Sequence, residues 1–466
     1  MTDLSNNIMQ IVYFAAALLF VFGLKKMSSP ITARKGLGWA SIAMLVAVVI
    51  TLLHHEVKSN FTWMTIALFV GGVAAYSSAK KSELTSMPKM IALYNGLGAG
   101  AAAGIAAVQL LKLESLSQAM PDTVKFAAAA GALIACISFS GSIVAFLKLH
   151  GMLKVIRFPM HQWGTTLALV IALTFGVAIV LNGDQFEVTS LIIFFILALT
   201  VGKLITIPLN NEDMPVLISL FNTLTGLAVG LGGYALSNLP MVVGGFLVAA
   251  TGLTLTLSMG KALNRPISQL LFGNYDETSS LNKKTNLSNG SVRELQANDA
   301  AMMMAFSQNV IIVPGYGMAL SQSQHRIQEV SRLLKNNDVN VKFAIHPAAG
   351  RMPGHMNVLL AETNISDDSI YDLDEINEEF SRADVVLVLG ANDTTNPSAR
   401  TDKNSSIFNM PILNADKAKN VIVIKRGKGT GFSGIDNPLF YQNNTALLFG
   451  DAQSVLADII RSLREI

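Results

Sequence analysis

The stretch Val310-Ile311-Ile312-Val313-Pro314-Gly315-Tyr316-Gly317-Met318-Ala319-Leu320 decides how the C-terminal part of this sequence is read. Four β-branched residues make a short apolar run of strand type, which leads without interruption into Gly-x-Gly. The pattern that follows, from about 318 to 335, is helical. Strand, glycine turn and helix in that order are the context of a dinucleotide fingerprint. The glycines permit the tight turn, and the helix N-terminus can meet a pyrophosphate. Leu320 stands where a complete fingerprint has its third glycine.

Outward from this turn the alternation continues. Further strand-like runs lie at 341–346, 358–360, 384–389, 420–425 and 446–449, with helical stretches around 374–382 and 452–464. Such alternation predicts a parallel sheet with helices on both faces, a Rossmann-like α/β domain over residues 301–466. A domain that selects NAD carries an acid at the end of its second strand for the ribose 2′-hydroxyl. Here His346 holds that place, and no Asp or Glu adjoins it. A later strand ends instead in Lys425-Arg426, followed by Gly427-Lys428-Gly429-Thr430-Gly431. Basic side chains beside a flexible loop suit a 2′-phosphate, through charge-assisted and bidentate hydrogen bonds. A solvated basic loop would have the same composition. Together the missing acid and the added cations favour NADP over NAD.

Two other segments stand out. The loop His346-Pro347-Ala348-Ala349-Gly350-Arg351-Met352-Pro353-Gly354-His355 is rigid and anion-ready, and Gly390-Ala391-Asn392-Asp393-Thr394 follows a buried strand. Open α/β sheets place their ligands at such strand ends. His346 and His355 have no carboxylate at ligand spacing, so no metal site is expected.

The first 260 residues are of another kind. They hold 14 of the 34 Lys/Arg and 9 of the 31 Asp/Glu in the 466-residue chain, and the remaining 206 residues carry the rest. The second part is thus close to the globular norm of about 25% charge, and the first falls far below it. A net charge of +3 does not indicate a nucleic-acid partner, and the single cysteine, Cys136, excludes an internal disulfide. Nine apolar runs lie at about 8–24, 36–53, 61–78, 90–110, 125–147, 163–181, 187–207, 215–235 and 239–260. Each approaches the ~20 residues a helix needs to span hydrocarbon. The expected architecture is therefore a polytopic α-helical membrane bundle of about nine spans (1–260), a polar linker (261–300) and the Rossmann-like domain.

Basic residues orient the bundle. Those after odd-numbered spans (Lys25, Lys26, Arg34, Lys35, Lys80, Lys81, Lys89, Lys148, Lys154, Arg157, Lys203, Lys261, Arg265) outnumber Lys58, Lys112 and Lys125 after even-numbered ones. The positive-inside rule then places the N-terminus outside and the C-terminal domain in the cytoplasm. Gly96, Gly98, Gly100 and Gly104 share one span, a spacing that lets helix backbones approach. Ionisable groups are scarce: Glu212 and Asp213 stand at the mouth of span eight and Lys203 near the end of span seven. A charge at membrane depth costs at least ~2.5 kcal/mol, so each is a functional candidate. Asp213 is also well placed to cap a helix ahead of Met214-Pro215. Asn95 and Asn222 lie deeper, where asparagine serves either as helix–helix glue or as part of a polar path.

Taken together, PGYGMA at 314–319, HPAAGRMPGHMNVLLAE at 346–362, GANDTTNP at 390–397, NPLFY at 437–441 and GDA at 450–452 resemble the β subunit of the proton-translocating NAD(P) transhydrogenase family. The resemblance covers nearly the whole chain. It implies that Gly315, Tyr316 and Gly317, the loop Ala348–Pro353, Gly390–Thr394 and Lys425–Phe432 surround NADP(H), with Asp451 and Ala452 closing on it. Lys425 and Arg426 would hold the 2′-phosphate, and Asp393 would couple the nicotinamide redox state to the membrane. Asp213 and Asn222, within EDMPVLISLFN, match positions implicated in proton passage. One departure stands in the fourth span, where some relatives carry a histidine relay and this chain has Asn95, which does not titrate near neutral pH.

The family further implies hydride transfer between NAD(H) and NADP(H), coupled to proton movement across a bacterial inner membrane. This chain offers one dinucleotide site, so NAD(H) would bind an α subunit on another polypeptide, in a dimer of αβ units. Without the resemblance, the layout would equally permit a channel or transporter gated by a regulatory nucleotide domain.

Overall fold

The fold comes from a computed structural model, which describes residues 2–27, 30–52, 60–82, 86–115, 121–156, 161–182, 188–210, 213–262, 267, 271, 292–350, 354–403, 405, 407–427, 431 and 433–466. The expectations placed on Glu212, Arg351, Met352, Pro353, Lys428, Gly429, Thr430, Phe432 and the linker stretch 276–289 lie outside the described residues. The chain divides into two compact units, the first comprising Met1–Thr256 with Leu270–Asn274 and the second Leu257–Gln269 with Tyr275–Ile466.

Nine helices among the described residues are long and apolar enough to cross a membrane. They are α1 (Thr2–Met27), α2 (Pro30–Leu52), α3 (Phe61–Lys81), α4 (Met87–Ser115), α5 (Asp122–Leu149), α6 (His161–Asn182), α7 (Val188–Thr206), α8 (Met214–Ala235) and α9 (Leu239–Ala262). Their outer faces carry Trp63, Phe69, Trp163 and Leu181, all more than two-thirds exposed. In water such surfaces would drive association; in hydrocarbon they are solvated.

Helix α5 is the hub, packing on α4, α7 and α8. Glycine makes the approach close. A Cβ on Gly141 of α5 would collide with the Phe221 ring of α8, and one on Gly202 of α7 with the Ile137 carbonyl. Of the glycines in α4, Gly96 and Gly100 face α5, where a Cβ would lie 3.0 Å from Ile143 Cδ1 and 3.0 Å from Phe139 Cδ2; Gly104 faces open space.

The C-terminal unit is a six-stranded parallel sheet in the order β3-β2-β1-β4-β5-β6. Its strands are β1 (Asn309–Pro314), β2 (Asn340–Ile345), β3 (Ile370–Asp372), β4 (Val385–Leu389), β5 (Asn420–Lys425) and β6 (Thr445–Phe449). All five residues of β4 are buried, as expected of a strand covered on both faces. Its helices include α10 (Ala297–Ala305), α11 (Tyr316–Leu320), α12 (Gln324–Asn336), α13 (His355–Glu362) and α14 (Ala452–Glu465).

One expected strand is corrected. Val358–Leu360 belongs to α13, where Met356, Leu359 and Leu360 form one buried helical face. A run of three apolar residues cannot distinguish the two periods. The third strand is instead Ile370–Asp372, an edge strand paired only with β2.

Candidate functional site

The strand order reverses between β1 and β4, and parallel sheets open a crevice at such a switch point. Here the turns after β1 and β4 are fastened together. Gly315 N donates to Leu389 O at 2.8 Å, and Gly317 N donates to Gly390 O at 2.9 Å. A Cβ on Gly317 would stand 2.6 Å from Gly390 Cα, and Gly390 itself has φ +69°. Both glycines are therefore required by loop-on-loop contact. The cleft above them encloses about 210 Å³, with Leu320, Asn392, Lys425, Arg426, Phe440 and Ala452 among its lining residues.

Asp393 and Asn392 tie this crevice to the segment beyond residue 430. The Asp393 carboxylate accepts from Ser433 N at 3.0 Å and Ser433 Oγ at 2.7 Å. The buried Asn437 side chain donates to both Asn392 O and Asn392 Oδ1 at 3.0 Å. A Cβ on Gly431 would meet Asp393 Oδ1 at 2.7 Å, so this segment lies directly on the Asp393 loop. Thr394 Oγ1 is buried without a hydrogen-bond partner among the described residues. Ser433 and Asn437 were not singled out from the sequence; the NPLFY motif that begins at Asn437 was the available signal.

Lys425 ends β5 half-buried, its Nζ 4.2 Å from the centre of the Phe440 ring. Burial lowers its pKa, opposed by the charge of Asp436. Arg426 pairs with Asp451 at 3.1 Å, both side chains well exposed. Asp451 also caps α14 by accepting from Gln453 N at 3.1 Å, so Ala452 starts that helix at the cleft wall. Gly427 borders open space.

At the end of β2 the His346 ring turns inward. It is buried, its Nε2 lies 2.7 Å from Pro411 O, and its Nδ1 accepts from Ala348 N at 3.0 Å. With Nδ1 an acceptor, Nε2 is the protonated nitrogen of a neutral ring. The ring and the Ala349 N to His346 O bond of 2.8 Å shape the Ala348–Ala349–Gly350 turn. Gly350 has φ +111°, and a Cβ there would meet His355. The His355 ring lies 6.4 Å from that of half-buried Tyr316.

Burial pushes the His346 pKa down to about 4, with the Pro411 bond opposing. The unfolded chain, near 6.5, therefore takes up the proton first. Stability from this group is complete above about pH 6.5 and drains as pH falls toward 4, by about 2 kcal/mol at pH 5. The urea midpoint of the C-terminal unit, followed by pulse proteolysis of the full chain in detergent, is expected to fall between pH 7 and 5. His346→Gln is expected to flatten that dependence; parallel declines would locate the titration elsewhere.

In the membrane bundle the site residues separate. Asp213 is 3% exposed at the start of α8. Its side chain makes no cap hydrogen bond and its backbone is helical (φ −82°, ψ −12°), so the simple capping role is not realised. Asn95 joins α5: its Nδ2 donates to Ser142 Oγ at 2.9 Å and reaches Ser138 Oγ at 3.5 Å. Ser138 lies 2.7 Å from Thr225 Oγ1 and donates to Phe221 O at 2.8 Å. This chain of hydroxyls links α4, α5 and α8; Asn222, half-buried one residue beyond Phe221, stands outside it among the described residues. The i,i+4 pair Ser138 and Ser142 was the sequence signal for that network.

A family model described as NAD(P) transhydrogenase beta subunit matches residues 9–462 of this chain. The chain is 37% identical over 467 residues to the NAD(P) transhydrogenase subunit beta of Rhodospirillum rubrum, covering 99% of this chain and 100% of that relative. The sequence from a named strain of the same organism gives the same figures.

Proposed function

Since the chain belongs to the NAD(P) transhydrogenase beta-subunit family, we propose that it is the membrane-spanning, NADP(H)-binding part of a hydride-transferring enzyme that moves protons across the membrane. The observation that carries the nucleotide assignment is the crevice at the β1/β4 switch point, with two cations at its rim and no carboxylate at the end of β2.

The residues fit the nucleotide. Gly315, Gly317 and Gly390 let the turns after β1 and β4 close on each other beneath the cleft where a pyrophosphate would lie, and the buried Thr394 hydroxyl has a bond to give. Lys425 and Arg426 would hold the 2′-phosphate, with Tyr316, Ala348–Gly350 and Ala391–Asp393 along the rest of the molecule. Bound there, the nicotinamide supplies or accepts the hydride, and no acid–base residue of the chain is required for that step. The task of this chain is to bind, orient and shield. Asp393, holding the 431–437 segment through Ser433, would set how closed the site is.

NAD(H) would bind the α subunit. In the bundle, Asp213 with Asn222 and the Asn95–Ser142–Ser138–Thr225 chain would serve proton passage; Asn95 can order water but not titrate. The bacterial inner membrane, an outside N-terminus, a cytoplasmic nucleotide domain and a dimer of αβ units complete the proposal.

The test is co-expression with a subunit carrying an NAD(H)-binding domain, followed by assay in sealed vesicles. Reduction of an acetylpyridine analogue of NAD⁺ by NADPH is expected only with both subunits. Reduction of NADP⁺ by NADH should accelerate severalfold on energisation and lose that gain with an uncoupler. Absence of transfer, or transfer indifferent to the gradient, would overturn the reading.

A further inference from the structure

Lys148 counts in the sequence as one more cytoplasmic flanking charge, yet it is 3% exposed in the last turn of α5. Its Nζ donates to Thr206 O at 3.1 Å, Ile207 O at 2.6 Å and Leu209 O at 2.6 Å. An ammonium has three donors, and three carbonyls here accept from it. These carbonyls lie at and just past the end of α7, where the helix runs out of backbone donors and Pro208 supplies none. Thr206 and Leu209 are fully buried, so water cannot stand in for the lysine. The clamped segment then runs directly to Asp213, whose N–H bonds Asn210 O at 3.2 Å and whose carbonyl starts α8 through Leu217 N at 3.1 Å.

We propose that Lys148 is a positioning residue for proton-linked turnover: its buried ammonium fastens the α7–α8 turn to α5 and thereby fixes Asp213. The proposal rests on the reading of Asp213 given above. A helix end at a membrane surface is ordinarily capped by water or glycine. Burying a cation for the purpose carries a desolvation penalty that a plain cap does not. What the cation adds is a bond between the turn and the helix that also holds the polar network, because Ser138 and Ser142 sit on α5 as well. One helix thus anchors α8 at its start, through Lys148 and the turn, and at mid-length, through Phe221 O. Removing the ammonium frees the turn while leaving the nucleotide site untouched.

The test uses the full chain with its partner subunit in sealed inside-out vesicles. Lys148→Met is expected to lower proton pumping during NADPH oxidation at least tenfold, with NADPH affinity changed less than twofold. Lys148→Arg, which keeps the charge and can still bond the carbonyls, is expected to restore more than half of the pumping. Should the Met variant fail to accumulate in the membrane, Lys148→Gln, with two donors, is read by the same criteria. Pumping within twofold of the parent in the neutral variant, or no rescue by arginine, overturns the proposal. Asp213→Asn separates the levels. Unaltered pumping there would remove the reading on which the clamp rests, whereas loss there beside normal pumping in Lys148→Met would remove the clamp alone.

Discussion

Replacing Lys425 and Arg426 together with alanine is expected to weaken NADPH binding at least ~100-fold and to leave the weaker binding of NADH within about threefold. A hydrogen bond to a charged group contributes about 1.5–3 kcal/mol, so two cations on one phosphate amount to about 3 kcal/mol or more. Neither side chain is required to hold the fold. Arg426 is 60% exposed and pairs with Asp451, an exposed pair of the kind that contributes little to stability. Lys425 is half-buried against Phe440, and burial lowers its pKa with only Asp436 opposing. A phosphate dianion beside it would add further counter-charge and raise that pKa again. NADPH binding is therefore expected to take up a fraction of a proton at alkaline pH in the parent chain and none in Lys425→Ala. Isothermal titration in two buffers of different ionisation enthalpy reads both the affinity and the proton. Equal losses for NADPH and NADH would show that the two cations support the loop and not the 2′-phosphate.

The double-layered reading of the chain was possible because its two halves have different solvents. Spans such as α7 and α9 announce themselves by composition alone, and their limits differ from expectation mainly at polar ends, as in α4, which runs from Met87 to Ser115. The glycine turn after β1 was equally legible, since its signal is local. Three kinds of feature were not. The edge strand Ile370–Asp372 has three residues and one neighbour, too few for a period. The run Val358–Leu360 has the composition of a strand and the burial of a helix face. Most of the site's polar bonds join loops distant in sequence: Ser433 to Asp393, Asn437 to Asn392, and His346 to Pro411. Which loops meet is set by the β3-β2-β1-β4-β5-β6 order, and that order is a property of the packed sheet. The same holds for Lys148, whose charge reads as a membrane flank until the end of α7 is brought over it.

Asp213→Asn is expected to abolish most proton-linked turnover, at least tenfold, while NADPH affinity stays within about twofold. Asparagine keeps the shape and one carbonyl oxygen of the side chain but gives up its charge and its ability to bind and release a proton. The site is 3% exposed, and the carboxylate makes no N-cap hydrogen bond to α8. A thermal shift in detergent is the control that separates a loss of proton chemistry from a loss of folding. A residue retained only for structure would behave differently: activity would fall in step with stability. If pumping in vesicles is unchanged in Asp213→Asn, the proton does not pass through this carboxyl, and the hydroxyl chain from Asn95 through Ser142 and Ser138 to Thr225, with water, becomes the path to test. If pumping is lost while the vesicles still bind NADPH normally, the buried carboxyl at the head of α8 is the group whose proton occupancy the nucleotide site senses. By thermodynamic reciprocity, the protonation of that carboxyl must then depend on which nucleotide is bound.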